Sequence, residues 1–201
     1  MKTPLFFFCF ILIAPLCAEV KVLALAGSSR EGSYNKLLVK EAGELARQLG
    51  AQVTLIDLKD FPMPFYDADL EEKEGMPSNA KRLKQLMVNS DVIMIASPEY
   101  NATVSAILKN SLDWASRSEN EASRSAFKGK KFALMSASPS KKGGARGLVD
   151  LQAIIEDVGG EVVKLKTMVP VAYEAFDAQG KLKDQNLRKK LQQEVEQVLQ
   201  A

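Results

Sequence analysis

Short apolar runs, rich in β-branched residues, recur along the chain at positions 20–26, 53–58, 92–96, 131–136 and 161–165. Each run is nearly continuous in apolar residues, the pattern of a strand covered on both faces by helices. Between the runs the spacing of apolar positions changes from strand-like to helical. Residues 34–49 carry Leu37, Leu38, Leu45 and Leu49 along one helix face, and Gly50 follows as a stop signal. Residues 78–89 repeat the pattern with Leu83, Leu86 and Met87. Residues 104–115 and 147–158 supply two more helices, the second closed by Gly159 and Gly160, and a charged helix over 184–199 ends the chain. Strands alternating with helices predict an α/β fold, a doubly wound sandwich with a five-stranded parallel sheet.

One connection breaks this rhythm. Residues 59–77 hold Pro62, Pro64 and Pro77 together with Phe61, Phe65 and Tyr66, and read as a long irregular loop that either folds over the sheet edge or forms a rim for a ligand. The first 18 residues also stand apart: Lys2 precedes an apolar run from Leu5 to Ala14, followed by Pro15, Leu16, Cys17 and Ala18. This reads as a secretory leader cleaved after Ala18, because the run falls short of the roughly 20 apolar residues a spanning helix needs. The expected organisation is a leader over 1–18 and one domain over 19–201, exported if the leader is real and cytoplasmic if it is not.

Composition narrows the chemistry. The chain has 201 residues, 46% of them hydrophobic, and a formal net charge of +2, which gives no reason to expect a nucleic-acid partner. Histidine is absent, so the commonest general base and the commonest metal ligand are both missing, and no metal site is expected. The only cysteines, Cys9 and Cys17, fall in the leader and leave the domain without thiol chemistry.

Candidate chemistry gathers where three strands end. The first strand runs into Gly27-Ser28-Ser29-Arg30-Glu31-Gly32-Ser33-Tyr34-Asn35 and then directly into a helix. In an open α/β sheet this turn lies at the carboxyl edge, where ligands bind. Free N–H groups at a helix start attract anions, Ser28, Ser33 and Asn35 add short hydrogen-bonding side chains, and Arg30 adds a guanidinium fork. The turn suits a terminal phosphate, while Ser33 also fits a plain helix cap. Neither G-x-x-x-x-G-K-[ST] nor G-x-G-x-x-G is present, which disfavours a nucleoside triphosphatase or an ordinary dinucleotide fold. The third strand ends in Ser97-Pro98-Glu99-Tyr100-Asn101, whose extended exit offers backbone groups to a flat heterocycle or makes a plain turn and helix cap, and Leu108-Lys109-Asn110-Ser111-Leu112-Asp113-Trp114 follows, with Trp114 suited to the core or to an interface. The fourth ends in Ser138-Pro139-Ser140-Lys141-Lys142-Gly143-Gly144-Ala145-Arg146, where two glycines permit close backbone approach and the basic residues suit a phosphate-bearing second substrate.

Together these segments resemble the NADPH-dependent FMN reductases, a flavodoxin-like family that includes chromate, quinone and azo-dye reductases. The matching pieces are a G-S-x-R-x-x-S-x-N phosphate loop, a P-E-Y-N flavin loop with an L-K-N-x-x-D-W helix, and an S-x-G-G-x-R loop. The resemblance implies strand order 2-1-3-4-5 and an FMN phosphate held by Ser28, Arg30, Ser33 and Asn35. It places the isoalloxazine against Pro98, Glu99, Tyr100 and Asn101, with Ser138, Gly143 and Gly144 on the other side. It also implies NADPH or NADH as hydride donor, a small-molecule electron acceptor, no catalytic side chain beyond the flavin, and a homodimer or homotetramer with Trp114 at the interface. A flavodoxin-type electron carrier is the alternative, set against by the near-neutral charge and by Arg30 in the phosphate loop.

Overall fold

A computed structural model of the protein describes residues 19–118 and 122–200; the predicted leader, with Cys9 and Cys17, lies outside them. The strands are β1 (Lys21–Ala26), β2 (Gln52–Asp57), β3 (Val92–Ala96), β4 (Lys131–Ala137), β5 (Glu161–Val162) and β6 (Met168–Val169). The sheet is parallel in the order β2-β1-β3-β4-β5, with β6 also pairing with β4. This is the predicted flavodoxin-like order. Helices α1 (Tyr34–Gln48) and α7 (Gln185–Gln200) cover one face, where Leu38, Val39, Leu191 and Val195 meet Val22, Ala24, Met94 and Met135. Helices α3 (Ser78–Val88), α4 (Ala106–Ala115) and α5 (Ala145–Asp157) cover the other, packing Leu83, Leu108, Leu112 and Leu151 on Leu23, Ile93, Phe132 and Leu134. The central strands are buried on both faces, which explains their unbroken apolar runs.

Two predicted features differ. The fifth strand is not continuous over 161–165. β5 pairs with the start of β4 and β6 with its end, and the chain between carries two more residues than β4 does, since Phe132 opposes Val162 while Ser136 opposes Met168. Side chains of α7 satisfy the backbone of this bulge: Gln197 Oε1 accepts from Leu165 N at 3.0 Å and Glu194 Oε2 from Thr167 N at 2.6 Å.

The connection over 59–77 is not wholly irregular either. It contains α2 (Ala68–Glu74), capped by the Asp67 carboxylate on the Asp69 and Leu70 N–H groups and stopped by Gly75. The connection packs on α4. Trp114 is fully buried within the protomer, its indole N–H donates to the Pro64 carbonyl at 2.9 Å, and Tyr66 packs edge-on against it. Asn110 donates to the same carbonyl and accepts from Tyr66 N. The two polar anchors of the L-K-N-x-x-D-W segment therefore hold this connection in place, and Trp114 is not an interface residue. A short helix, α6 (Ala172–Ala175), completes the elements.

Candidate functional site

Strands β1, β3 and β4 are neighbours in the sheet, so the loops that follow them emerge side by side at its carboxyl edge. The backbone ladder continues up to their first residues, with Gly27 N donating to Ala96 O and Ser97 N to Met135 O, both at 2.9 Å.

The loop after β1 presents unpaired backbone donors. Among the described residues, the N–H groups of Ser28, Ser29 and Arg30, and of Tyr34 and Asn35 at the start of α1, donate to no acceptor. A run of free donors at a helix N-terminus attracts negative charge through both hydrogen bonds and the helix dipole. Ser28 and Ser33 are buried beside it. Ser33 is the N-cap of α1 by backbone geometry, yet its hydroxyl makes no capping hydrogen bond and remains free for a ligand. Nearby acids are neutralised: Lys36 pairs with Asp57 at 2.5 Å and Lys59 with Glu31 at 2.9 Å. Burial tends to raise the Asp57 carboxyl, but the hydrogen bonds from Lys36 and Lys59 N outweigh it and hold it below its ordinary value. The hydrogen bond from Lys59, joined by its charge, lowers Glu31. Arg30 is exposed and makes no ion pair among the described residues, so its charge is uncommitted.

Asn35 is placed differently from the expectation of a phosphate contact. Its side-chain amide donates to Ala137 O and accepts from Ala137 N, both at 2.9 Å, which fastens the start of α1 to the end of β4. Glu99 has a similar positioning role. Its carboxylate accepts from the backbone N–H groups of Arg146 and Gly147 at the start of α5, and from the Arg146 guanidinium at 2.6 Å. It thereby caps, from another loop, a helix whose own N-cap is Gly144. Burial would raise this carboxyl; Arg146 and the two N–H groups overcome that effect and lower it. A third tie, not anticipated from the sequence, is Ser105. Its hydroxyl donates to Gly27 O at 2.5 Å and accepts from Leu108 N, joining the loop after β1 to α4. Its place three residues before Leu108 is a legible N-cap signal.

The loop after β3 turns sharply. Tyr100 and Thr103 exchange backbone hydrogen bonds around Asn101 (φ 52°) and Ala102 (φ 72°), two consecutive left-handed residues. Tyr100 is exposed, Pro98 is buried, and the N–H groups of Glu99 and Asn101 have no partner among the described residues. In the loop after β4, the Ser138 hydroxyl accepts from Ser140 N and so shapes the turn. Gly143 (φ 60°) and Gly144 (φ 86°) are required by packing beneath the loop: a Cβ at Gly144 would strike the Ser136 hydroxyl, and one at Gly143 would press on Met168 and Pro170. Their missing side chains therefore face the protein.

Three adjacent loops, tied together by Asn35, Glu99 and Ser105 and presenting unpaired donors beside a free arginine, form the carboxyl edge of a flavodoxin-like α/β domain. Comparison with known proteins makes this specific. The model of the NADPH-dependent FMN reductases matches residues 20–174, and the chain belongs to that family. It is 34% identical over 179 residues to an NAD(P)H-dependent FMN reductase of Pseudomonas aeruginosa, covering 89% of this chain and 92% of the relative. It is 33% identical over 181 residues to an NADPH:quinone oxidoreductase of Arabidopsis thaliana, covering 87% of each. Among solved structures it is similar to the flavoenzyme NAD(P)H:(acceptor) oxidoreductase FerB of Paracoccus denitrificans, with a TM-score of 0.72, 26% identity, and coverage of 90% of this chain and 98% of that one.

Proposed function

We propose that the protein is an NAD(P)H-dependent flavin oxidoreductase that holds FMN at the carboxyl edge of β1, β3 and β4 and reduces small acceptors such as free FMN, quinones, azo compounds or chromate. The observation that carries the reading is the row of unpaired backbone donors in the loop after β1, beside an uncommitted Arg30, in a chain of this family. FMN held there would supply the redox chemistry, hydride transfer from NADPH or NADH and onward reduction of an acceptor.

The chain's own groups bind and orient. The Ser28 and Ser33 hydroxyls and the free N–H groups hold the phosphate, and Arg30 pairs with its charge. The backbone from Pro98 to Asn101, with Tyr100, flanks the ring. Ser138, Gly143 and Gly144 form the opposite wall. Asn35 and Glu99 fix the spacing of these walls. Free N–H groups at Glu99 and Asn101 are suited to stabilising negative charge on the reduced ring. No proton-transferring side chain is needed, in keeping with a chain that has no histidine.

Purified protein given FMN should oxidise NADPH or NADH when a quinone or ferricyanide is present; failure with both donors refutes the reading. The domain is assigned to 19–201 and functions as a homodimer or homotetramer, with exposed Tyr100 and Phe65 available to a second copy. Light scattering tests this, and a monomer at micromolar concentration contradicts it. Among the described residues no helix is long and apolar enough to cross a membrane. The composition of residues 1–18 supports cleavage after Ala18 and export. Recovery of cytoplasmic protein that retains Met1 would refute export.

A further inference from the structure

Behind the loop that follows β4, the edge of the sheet at the β5–β6 bulge carries a cavity of about 380 Å³, whose lining includes Ala145 and Gln152 of α5. Leu148, Leu165 and Met168 line its apolar floor, and Val149, 68% exposed, stands at its lip. Three lysines contribute to its lining: Lys164 and Lys166 from the bulge and Lys190 from α7. No aspartate or glutamate lines the cavity, and none of the three amines has an ion-pair partner among the described residues.

We propose that this cavity is a binding site for a small organic anion with an apolar body, its acidic head held among Lys164, Lys166 and Lys190 and its body on Leu148, Val149 and Met168. Lysines on an edge strand also serve to block pairing with another sheet. That role accounts for Lys164 and Lys166. It requires neither a concave apolar floor nor the convergence of a third amine from a helix. A macromolecular partner would need a broad flat patch, whereas the volume here falls within the range of small-molecule pockets. An apolar floor with charge only at the rim excludes inorganic phosphate as the best fit, because half of the lining would then go unused.

The buried carboxyl electrostatically coupled to Lys166 and Lys190 is that of Glu194. Burial pushes it up to about 8, so at pH 7 most of it is neutral and leaves the field of these two amines unopposed.

The test is calorimetric titration of the full-length protein with naphthalene-1-sulfonate and, as neutral counterpart, naphthalene-1-methanol, each with and without excess FMN. The expected result is one site per chain that prefers the sulfonate at least tenfold and is indifferent to FMN. The Lys164→Gln/Lys166→Gln/Lys190→Gln variant and, separately, Val149→Asp should each weaken the sulfonate at least tenfold while circular dichroism shows native folding. Absent sulfonate binding, equal affinity for the alcohol, displacement by FMN, or unchanged affinity in both variants would each overturn the proposal. The flavin assignment is unaffected by any of these outcomes.

Discussion

Glu194 gives the protein a dependence of stability on pH that can be calculated from its surroundings. The residue is fully buried on α7; its Oε2 accepts from Thr167 N at 2.6 Å, while Oε1 and the Thr167 hydroxyl have no hydrogen-bond partner. Burial raises the carboxyl from its ordinary 4.5 to about 8, and the opposing influences of Thr167, Lys166 and Lys190 are too weak to prevent it. The folded state therefore keeps a proton that the unfolded state releases. Stability from this group is fully present below pH 4.5 and is lost as the pH rises through about 8. At about 1.4 kcal/mol per pH unit, the interval comes to about 5 kcal/mol, a large fraction of the stability of a small domain. The chain has no histidine to titrate within this window, and the lowered Asp57 and Glu99 are ionised throughout it. Urea unfolding at pH 5, 6, 7 and 8 should show stability falling with a slope near one proton. Glu194→Gln keeps the acceptor for Thr167 N and removes the charge. It leaves an amide donor unpaired, at a cost of about 1–2 kcal/mol. The variant should then be the less stable protein at pH 5, flat across the range, and the more stable one at pH 8, with the two lines crossing near pH ~6. A wild-type stability that is flat or rising from pH 5 to 8, or a variant that keeps the slope, would refute the reasoning.

The remaining predictions concern the crevice. Arg30→Ala should weaken FMN binding by about 1.5–3 kcal/mol, roughly ten- to a hundredfold, and leave riboflavin, which lacks the phosphate, unchanged in parallel fluorescence titrations. Glu99→Gln should lower stability by about 1–2 kcal/mol in urea at pH 7, through the weakened α5 cap and Arg146 pair. Because the Glu99 carboxyl is lowered, that loss should be greatest above pH 4.5 and disappear as the pH falls through its folded value. Ala102→Gly should raise stability by about 0.5–1 kcal/mol, since alanine at φ 72° is strained and glycine is not, read as a higher urea midpoint.

The continuous apolar runs of β1, β3 and β4 and the helical spacing of α1, α3, α4, α5 and α7 were legible because each of these elements buries a face against the sheet. The bulge between β5 and β6 was not. Its backbone is satisfied by Glu194 and Gln197, about thirty positions away, and nothing local in the apolar run announces two extra residues. Helix α2 had readable signals in Asp67, Asp69, Glu71 and Gly75, which the prolines around it obscured. At the carboxyl edge, residue types did not reveal the direction each side chain takes. Asn35 and Glu99 have the chemistry of ligand contacts, yet they reach backbone groups 102 and 47 positions further along the chain. Such pairings depend on the register of neighbouring strands, which the sequence does not display.

The central claim is that the three loops form an FMN site that accepts hydride from a nicotinamide. Its most direct test is the visible spectrum of purified protein reconstituted with FMN and freed of excess flavin, followed by anaerobic addition of NADPH. One FMN should remain bound per chain, its yellow absorption bleaching on NADPH addition and returning when a quinone is admitted. Protein that stays colourless after FMN treatment, or bound flavin that neither NADPH nor NADH bleaches, would contradict it.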